Sequence, residues 1–218
     1  MLNKNKHVFW EALLITFFIF GIGIFLGMAY EGNKLKVISQ YYDQSEIFLN
    51  DMIGLERSFE FNPDCGNLIQ SNLEFADKIY AEALLLEQYE SAEKFSEDLL
   101  VVHKRYDLLR TFLWMNTIKI ANDCPNEDFS SVVYLYEYQP KDLVKKAKNS
   151  VWSKILFDLK LETGSGIVLI PIAINSDLSS LNSLTDKFNI TEYPVVIINN
   201  KKVITELTST KDLISYLN

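Results

Sequence analysis

The 218-residue sequence predicts an α/β protein with three parts: a membrane-spanning helix, an α-helical hairpin stalk and a carboxy-terminal domain with the element order β-α-β-α-β-β-α. Three observations predict this class. An uncharged apolar stretch lies near the amino terminus, a long segment without glycine or proline follows it, and short β-rich runs then alternate with amphipathic helices. The predicted segments are a tail (1–7), a transmembrane helix (8–30), a helical stalk (31–126) and a sheet domain (129–218).

The amino-terminal apolar stretch is the strongest local signal. Residues 12–29, ALLITFFIFGIGIFLGMA, carry no charge. With their apolar flanks they can cross a hydrocarbon layer of about 30 Å as a helix. A cleaved signal peptide is the alternative, because Gly27-Met28-Ala29 resembles a cleavage site, but the apolar run exceeds the roughly 7–15 residues of a signal peptide's core. We therefore expect a retained signal anchor that contacts membrane lipid through residues 8–30.

Charged residues on the two sides of this span predict its orientation. Lys4 and Lys6 precede the span, whereas two lysines after it are partly offset by Glu31. Cytoplasmic flanks carry the excess of lysine and arginine in membrane proteins. We therefore expect a single-pass protein of the cell membrane, with a cytoplasmic amino terminus and an extracytoplasmic carboxy-terminal domain.

Net charge and one glycine pair bear on the partners of the protein. The net charge is −8, from 21 basic and 29 acidic residues, and there is no basic run. This composition argues against nucleic-acid binding, because phosphate contacts need clustered lysine and arginine. Gly23 and Gly27 form a GxxxG pair, a motif that lets two membrane helices approach closely, so a homodimer through these glycines is one expectation.

The helical middle is flanked by the two cysteines of the chain. Residues 67–123 contain neither glycine nor proline, and one helix of that length would extend about 85 Å. We expect a hairpin instead, with its turn at 88–96. Cys65 just precedes the first helix and Cys124 just follows the second, so arms of equal length bring both to one end. This predicts a disulfide in an oxidising compartment, with two unrelated buried thiols as the alternative.

The carboxy-terminal domain alternates strands and helices. Its first two strands, joined through a helix, are expected to be parallel, and the final hairpin, with its turn at Asn199-Asn200, antiparallel. Pro171 requires the second strand to lie at an edge, since proline cannot donate to a ladder. One stripe of the first helix is predicted to be buried, comprising Val144, Ala147, Val151, Ile155 and Leu159. The predicted strands are 130–138, 167–174, 195–199 and 202–207, and the predicted helices are 141–162, 178–188 and 210–217.

A proline in Tyr193-Pro194 directly precedes the third strand. This proline and the element order resemble the thioredoxin-like fold over about residues 129–218. The resemblance implies that the Tyr193–Pro194 peptide is cis and faces the start of the first helix of the domain. It also implies a groove for extended polypeptide, with Tyr138, Tyr193 and Pro194 exposed. The predicted groove residues are Tyr138, Gln139, Pro140, Lys141, Tyr193 and Pro194.

The same resemblance identifies where catalysis would occur. Thioredoxin-like oxidoreductases carry C-x-x-C where the first strand meets the first helix, and the matching residues here are Tyr138-Gln139-Pro140-Lys141. Without a thiol at either cysteine position, dithiol exchange has no nucleophile. Other catalytic motifs are lacking, and His7 and His103, the only histidines, are not spaced as metal ligands. We expect no metal, no other cofactor and no catalytic residue.

Three functions remain open from the sequence. The first is a membrane-anchored thioredoxin-like protein without redox cysteines that binds protein or peptide, or acts as a scaffold, outside the membrane. The second is a membrane-tethered thiol–disulfide oxidoreductase, or its partner subunit, that uses Cys65 and Cys124 or the cysteines of a partner. The third is a structural module in which the helical hairpin provides a coiled-coil assembly surface.

Overall fold

The protein is described by a computed structural model that covers residues 4–61, 64–92 and 97–217. Part of the predicted tail (1–3) and part of the predicted turn (93–96) lie outside these described residues. The chain divides into two compact units, Met1–Glu46 and Ile47–Asn218. The elements are α1 (Lys4–Phe59), α2 (Cys65–Ala92), α3 (Glu97–Asp123), β1 (Ser130–Tyr136), α4 (Leu143–Thr163), β2 (Ile167–Ala173), α5 (Ser179–Lys187), β3 (Val195–Ile198), β4 (Lys202–Ile204) and α6 (Thr210–Ser215).

The first unit consists of the amino-terminal part of α1. Within it, Val8–Ala29 has a mean hydropathy of 2.5 and is long and apolar enough to cross a membrane. None of this window is buried within the structure, so its side chains are available to lipid. A signal sequence would share these properties. The orientation of the helix and its pairing through Gly23 and Gly27 stay predictions.

The second unit contains one four-stranded sheet with the strand order β2-β1-β3-β4. β1 and β2 are parallel, with Ser130 opposite Ile167 and Tyr136 opposite Ala173. β1 and β3 are antiparallel, as are β3 and β4. These directions agree with the prediction, and β2 lies at an edge, as its proline requires.

Alternate residues of β1 face two different helical layers. Val133 and Leu135 belong to a core that includes residues from α2, α3 and α5, such as Phe75, Trp114 and Leu181. Val132 and Tyr134 face a second core formed with α4 and α6. The sheet is therefore covered on both faces, which explains why its inner strands consist mostly of apolar residues.

The hairpin predicted as a stalk packs directly against the sheet. Leu109, Leu113 and Trp114 of α3 share a buried cluster with Val133 of β1, and the compact unit begins at Ile47, not near residue 129. Because the sheet buries much of the apolar surface of the hairpin, the described residues give no support to a coiled-coil assembly surface.

The predicted disulfide is confirmed. Cys65 is the first residue of α2 and Cys124 immediately follows α3, with 5.8 Å between their Cα atoms. Asn116 Nδ2 in α3 donates to Asn72 Oδ1 in α2 at 2.9 Å, and both side chains are buried. The two helices are thus joined by a covalent bond and by a hydrogen bond between side chains.

The predicted buried stripe of α4 is largely wrong. Val144, Ala147 and Val151 are exposed and Ile155 is half-buried; of the stripe only Leu159 is buried. The residues that pack on the sheet are Trp152, Leu156 and Leu159. The helix has apolar residues on two sides, and the side carrying the tryptophan removes more apolar area from water.

Candidate functional site

The carboxyl ends of β1 and β2 lie at the same end of the sheet, because the two strands are parallel. Open α/β sheets place ligand sites outside the carboxyl ends of their parallel strands. Leu135 of β1 pairs with Val195 at the start of β3, so Tyr193–Pro194 comes to this end as well. We call residues 138–141 together with Tyr193 and Pro194 the sheet-end surface.

One asparagine holds the loop that follows β1. The Tyr138 N–H donates to Asn175 Oδ1 at 2.9 Å, and the Tyr138 carbonyl accepts from Asn175 Nδ2 at 2.9 Å. Asn175 comes just after β2, so the two loops at this end are joined through both groups of one side-chain amide. Gln139 then adopts a φ of 50°, in the left-handed region. This pairing of loops gives the sheet-end surface a defined backbone conformation.

An N-cap starts the helix that follows the loop. The Asp142 carboxylate accepts from the backbone N–H of Val144 at 2.7 Å and of Lys145 at 3.4 Å. Such a cap satisfies backbone donors that otherwise have no partner at the start of a helix. The cap therefore anchors the chain directly after Lys141, the last residue of the loop.

Exposure differs among the six residues of the sheet-end surface. Gln139 and Lys141 are exposed, and Tyr138, Pro140 and Tyr193 are half-buried. Pro194 is buried, so the expectation that it is exposed is wrong. It directly precedes β3, an inner strand whose residues are all buried. The Tyr193–Pro194 peptide is cis, as predicted.

Helix α3 contributes three side chains to this end that were not predicted as site residues. The His103 ring lies 4.3 Å from the Tyr138 ring, centroid to centroid. Asp107 Oδ1 accepts from the Ala173 N–H at the end of β2 at 3.0 Å, and Arg110 Nη1 lies 3.7 Å from the same oxygen. The three residues are spaced i, i+4 and i+7, which places them on one face of the helix. That spacing is visible in the sequence, but the strand end that the helix face meets is not.

Burial changes the protonation of two of these groups. It raises the pKa of Asp107 to about 6, against the opposing effects of the Ala173 N–H and the Arg110 guanidinium. Burial and the positive charge of Arg110 lower the pKa of His103 to about 4. At neutral pH, His103 is therefore uncharged and Asp107 is mainly ionised beside Arg110.

The chain has no thiol to offer at the sheet-end surface, because both cysteines are in the disulfide. Cys124 lines a small cavity of about 130 Å³ with Ser131 and Asn199. Ser131 lies near the start of β1, whereas the sheet-end surface follows the end of that strand. The disulfide is thus at the other end of the sheet. The described residues also contain no group of three His, Cys, Asp or Glu side chains that could hold a metal ion.

The edge of the sheet formed by β2, one of its two edge strands with β4, is a second candidate for polypeptide binding. The Ile167 carbonyl accepts from Lys160 Nζ at 2.7 Å, and the Ala173 N–H donates to Asp107. The backbone groups of Ile167 and Ala173 therefore point away from β1, toward the unpaired side of β2. Because this direction alternates along a strand, the backbone groups of Leu169 and Pro171 also point toward the unpaired side. Pro171 has no N–H to donate. Three of the four outward positions are thus capped or lack a donor, a known protection against strand addition.

A groove of about 360 Å³ lies along this edge, between β2 and the side chains of α2. Leu73 and Ala76 line it on one side and Leu169 on the other, with Glu74 and Asp77 also in its lining. Since only Leu169 keeps both backbone groups open to it, pairing with an added strand would be limited to very few hydrogen bonds. The sheet-end surface is therefore the better-formed site. Comparison of the chain with protein-family models, with curated proteins and with solved structures found no match.

Proposed function

We propose that this protein is a single-pass membrane protein whose thioredoxin-like sheet domain binds extended polypeptide without redox chemistry. The amino terminus is cytoplasmic and the domain extracytoplasmic, and binding occurs at the sheet-end surface. The observation that carries the proposal is a surface at the carboxyl ends of the parallel strands whose loops are joined by two hydrogen bonds and which offers amide, ammonium and phenol groups and no thiol.

The strand arrangement supports the thioredoxin-like assignment. The sheet order β2-β1-β3-β4, one parallel pair followed by two antiparallel pairs, and the cis peptide before β3 are what the resemblance implies. Residues 138–141, which the resemblance aligns with C-x-x-C, lie between the end of β1 and the start of α4, and this position supports the proposal. The groove that the resemblance implies has no thiol here, so it suits binding of polypeptide and not disulfide exchange.

The side chains of the sheet-end surface suit a polypeptide. Gln139 and Lys141 are exposed and can donate hydrogen bonds to backbone carbonyls or carboxylates. Tyr138 and Tyr193 each keep part of their ring accessible, and tyrosine is enriched in protein interfaces. Asn175 holds the backbone of Tyr138 before any ligand arrives, which lowers the cost of ordering the surface on binding.

The oxidoreductase alternative has weaker support. Cys124 is only 4% exposed and Cys65 is half-buried, and thiol–disulfide exchange requires an attacking thiolate to reach one of the two sulfur atoms. The disulfide also lies away from the sheet-end surface. A staple between the ends of α2 and α3 accounts for both cysteines.

Peptide arrays probed with the full-length protein in lipid nanodiscs test the proposal, with empty nanodiscs used to subtract binding to lipid. We expect a set of peptides whose affinity falls about tenfold, a typical interface hot-spot effect, in the variants Lys141→Glu and Tyr193→Ala. Lys201→Glu and Tyr216→Ala are matched controls, because both residues are exposed and lie outside the sheet-end surface.

Two results would contradict the proposal. The first is peptide binding that is equal in the wild type and both site variants, or that is undetectable in the wild type. The second is insulin reduction by the full-length protein that disappears in Cys65→Ser/Cys124→Ser, which would establish the oxidoreductase instead.

A further inference from the structure

Helix α4 exposes five large apolar side chains outside the stripe that packs on the sheet. The exposed fractions run from 44% at Val151 to 80% at Leu143. With 100° of rotation per residue, Leu143, Phe157 and Leu161 lie on the side away from the buried Trp152, Leu156 and Leu159, whereas Val144 and Val151 lie about 90–110° to one flank of that buried stripe. The five residues are Leu143, Val144, Val151, Phe157 and Leu161. We call this set the outer face of α4.

The outer face is not explained by the packing of the domain. Single exposed apolar residues are common on soluble proteins, but a grouped set marks a surface that contacts a partner or a membrane. The helix already buries a complete stripe on the sheet through Trp152 and its neighbours. The five apolar side chains are therefore not accounted for by the packing of α4 on the sheet.

The charge of this helix differs from that of the chain. Residues 141–163 contain six lysines and three carboxylates, a net charge of +3 in a protein of net charge −8. Lys141, Lys146 and Lys154 are exposed. Asp142 is occupied as the N-cap, and the other two carboxylates, Asp158 and Glu162, lie toward the carboxyl end. The exposed lysines of α4 thus lie in its amino-terminal two thirds with Leu143, Val144 and Val151, whereas Phe157 and Leu161 lie in the last third with the two carboxylates.

We propose that the outer face of α4 lies on an anionic lipid surface, in the same bilayer that holds the amino-terminal anchor. Lysines beside exposed Phe and Leu residues are the composition of helices that lie in a membrane interface. Acidic lipid headgroups complement the lysines of α4, whereas they would repel the acidic remainder of the protein. The inference rests on the membrane anchorage in the proposed function, because the tether keeps the domain within reach of lipid and raises its effective concentration there.

Contact with lipid can be measured by fluorescence quenching on the full-length protein in vesicles. Phe157→Cys provides a labelling site on the outer face, and the native disulfide leaves no other thiol to react. Ser183→Cys is the matched control, since Ser183 is exposed on α5, which packs on the opposite face of the sheet. Melting curves of both labelled proteins verify that they fold as the wild type does.

We expect lipids that carry a nitroxide near the headgroup to quench the label at position 157 in phosphatidylglycerol vesicles, and not the label at position 183. Quenching should fall in phosphatidylcholine vesicles. It should also fall when salt rises from about 0.1 M to about 1 M, which shortens the Debye length from about 10 Å to about 3 Å. Lys146→Gln and Lys154→Gln should each lower the equilibrium constant between the docked and undocked states of α4 about fivefold.

Two outcomes would overturn the inference. One is a label at position 157 that is quenched no more than the control label in phosphatidylglycerol vesicles. The other is self-quenching of the label at position 157, that is, quenching of one labelled protein by another. If self-quenching increases with the density of protein in the vesicles and does not depend on lipid charge, the outer face contacts a second copy of the chain. Flotation of the vesicles after an alkaline wash distinguishes membrane anchorage from docking of α4. Protein that floats with the vesicles but shows no quenching at position 157 is anchored and refutes the docking alone. Protein that does not float with the vesicles refutes both the anchorage and the docking.

Discussion

Helices α3 and α4 cover opposite faces of one sheet and differ in their helical neighbours. α2 packs beside α3, so Leu109, Leu113 and Trp114 join a core that extends from the sheet into the hairpin. α4 has α6 at one flank and leaves five large apolar residues exposed, against four on α3, which are Leu100, Val101, Leu108 and Met115. The difference shows that apolar content alone does not decide burial. The neighbours of a helix do, and an apolar side without a neighbour is a candidate for contact with something outside the chain.

The largest expected effect tests whether the sheet-facing sides of α3 and α4 contribute equally to the stability of the protein. Trp114 of α3 and Trp152 of α4 are both fully buried. Replacing either with alanine should destabilise the protein by about 3–5 kcal/mol, through lost burial and the cavity left behind. Thermal melts of the full-length protein in detergent measure this. A loss at Trp152 much smaller than at Trp114 would mean that α4 contributes little to the core.

The disulfide joins α2 to α3, and α4 has no corresponding covalent link because the chain has only these two cysteines. It closes a loop between residues 59 positions apart, for which the chain-entropy account gives about 4 kcal/mol of stabilisation. The variant Cys65→Ser/Cys124→Ser should therefore melt at a much lower temperature than the wild type. Tyr216→Ala is a control outside the helical hairpin. Equal melting temperatures for the variant and the wild type would refute a stabilising role for the disulfide.

Sequence reasoning was successful where a local pattern determines the result. The strand and helix order follows from periodicity and breakers, and the disulfide follows from two helices of equal length between Cys65 and Cys124. It failed where two solutions are locally equivalent. Val151 and Trp152 both belong to apolar stripes of α4, and only the sheet decides between them. In the same way, nothing near His103 or Asp107 reveals that their helix face meets the end of β2.

The polar side of α3 at the end of β2 has no counterpart on α4, and its pH dependence can be measured. Asp107 has a pKa of about 6 in the folded protein, above its ordinary 3.8, so the folded state binds more protons between these values. Its contribution to stability therefore rises as pH falls from about 6 to about 4. His103, with a pKa of about 4 against an ordinary 6.5, contributes in the opposite direction over nearly the same window.

These two contributions oppose each other in the wild type and should separate in single variants. On acidification from pH 7 to pH 4.5, Asp107→Asn should lose stability relative to the wild type, and His103→Phe, which retains a ring against Tyr138, should gain it. Each difference should reach at most about 3 kcal/mol. Melting temperatures across this pH range measure both, and profiles parallel to the wild type would show that neither group is shifted in the folded state.

The smallest expected effect on stability is at Phe157 of α4, which is adjacent to Leu156 but differs from it in burial. Leu156 is 3% exposed and Phe157 is 55% exposed. In detergent, Leu156→Ala should cost about 2–5 kcal/mol, whereas Phe157→Ala should change stability by no more than about 0.5 kcal/mol. If the outer face docks on lipid, Phe157→Ala will also reduce the contact of α4 with phosphatidylglycerol vesicles, reported by a label at Leu161→Cys. A small effect on stability combined with a large effect on lipid contact would show that Phe157 belongs to an interface and not to the core. A large loss of stability at Phe157 would instead assign the outer face of α4 to the interior of the protein.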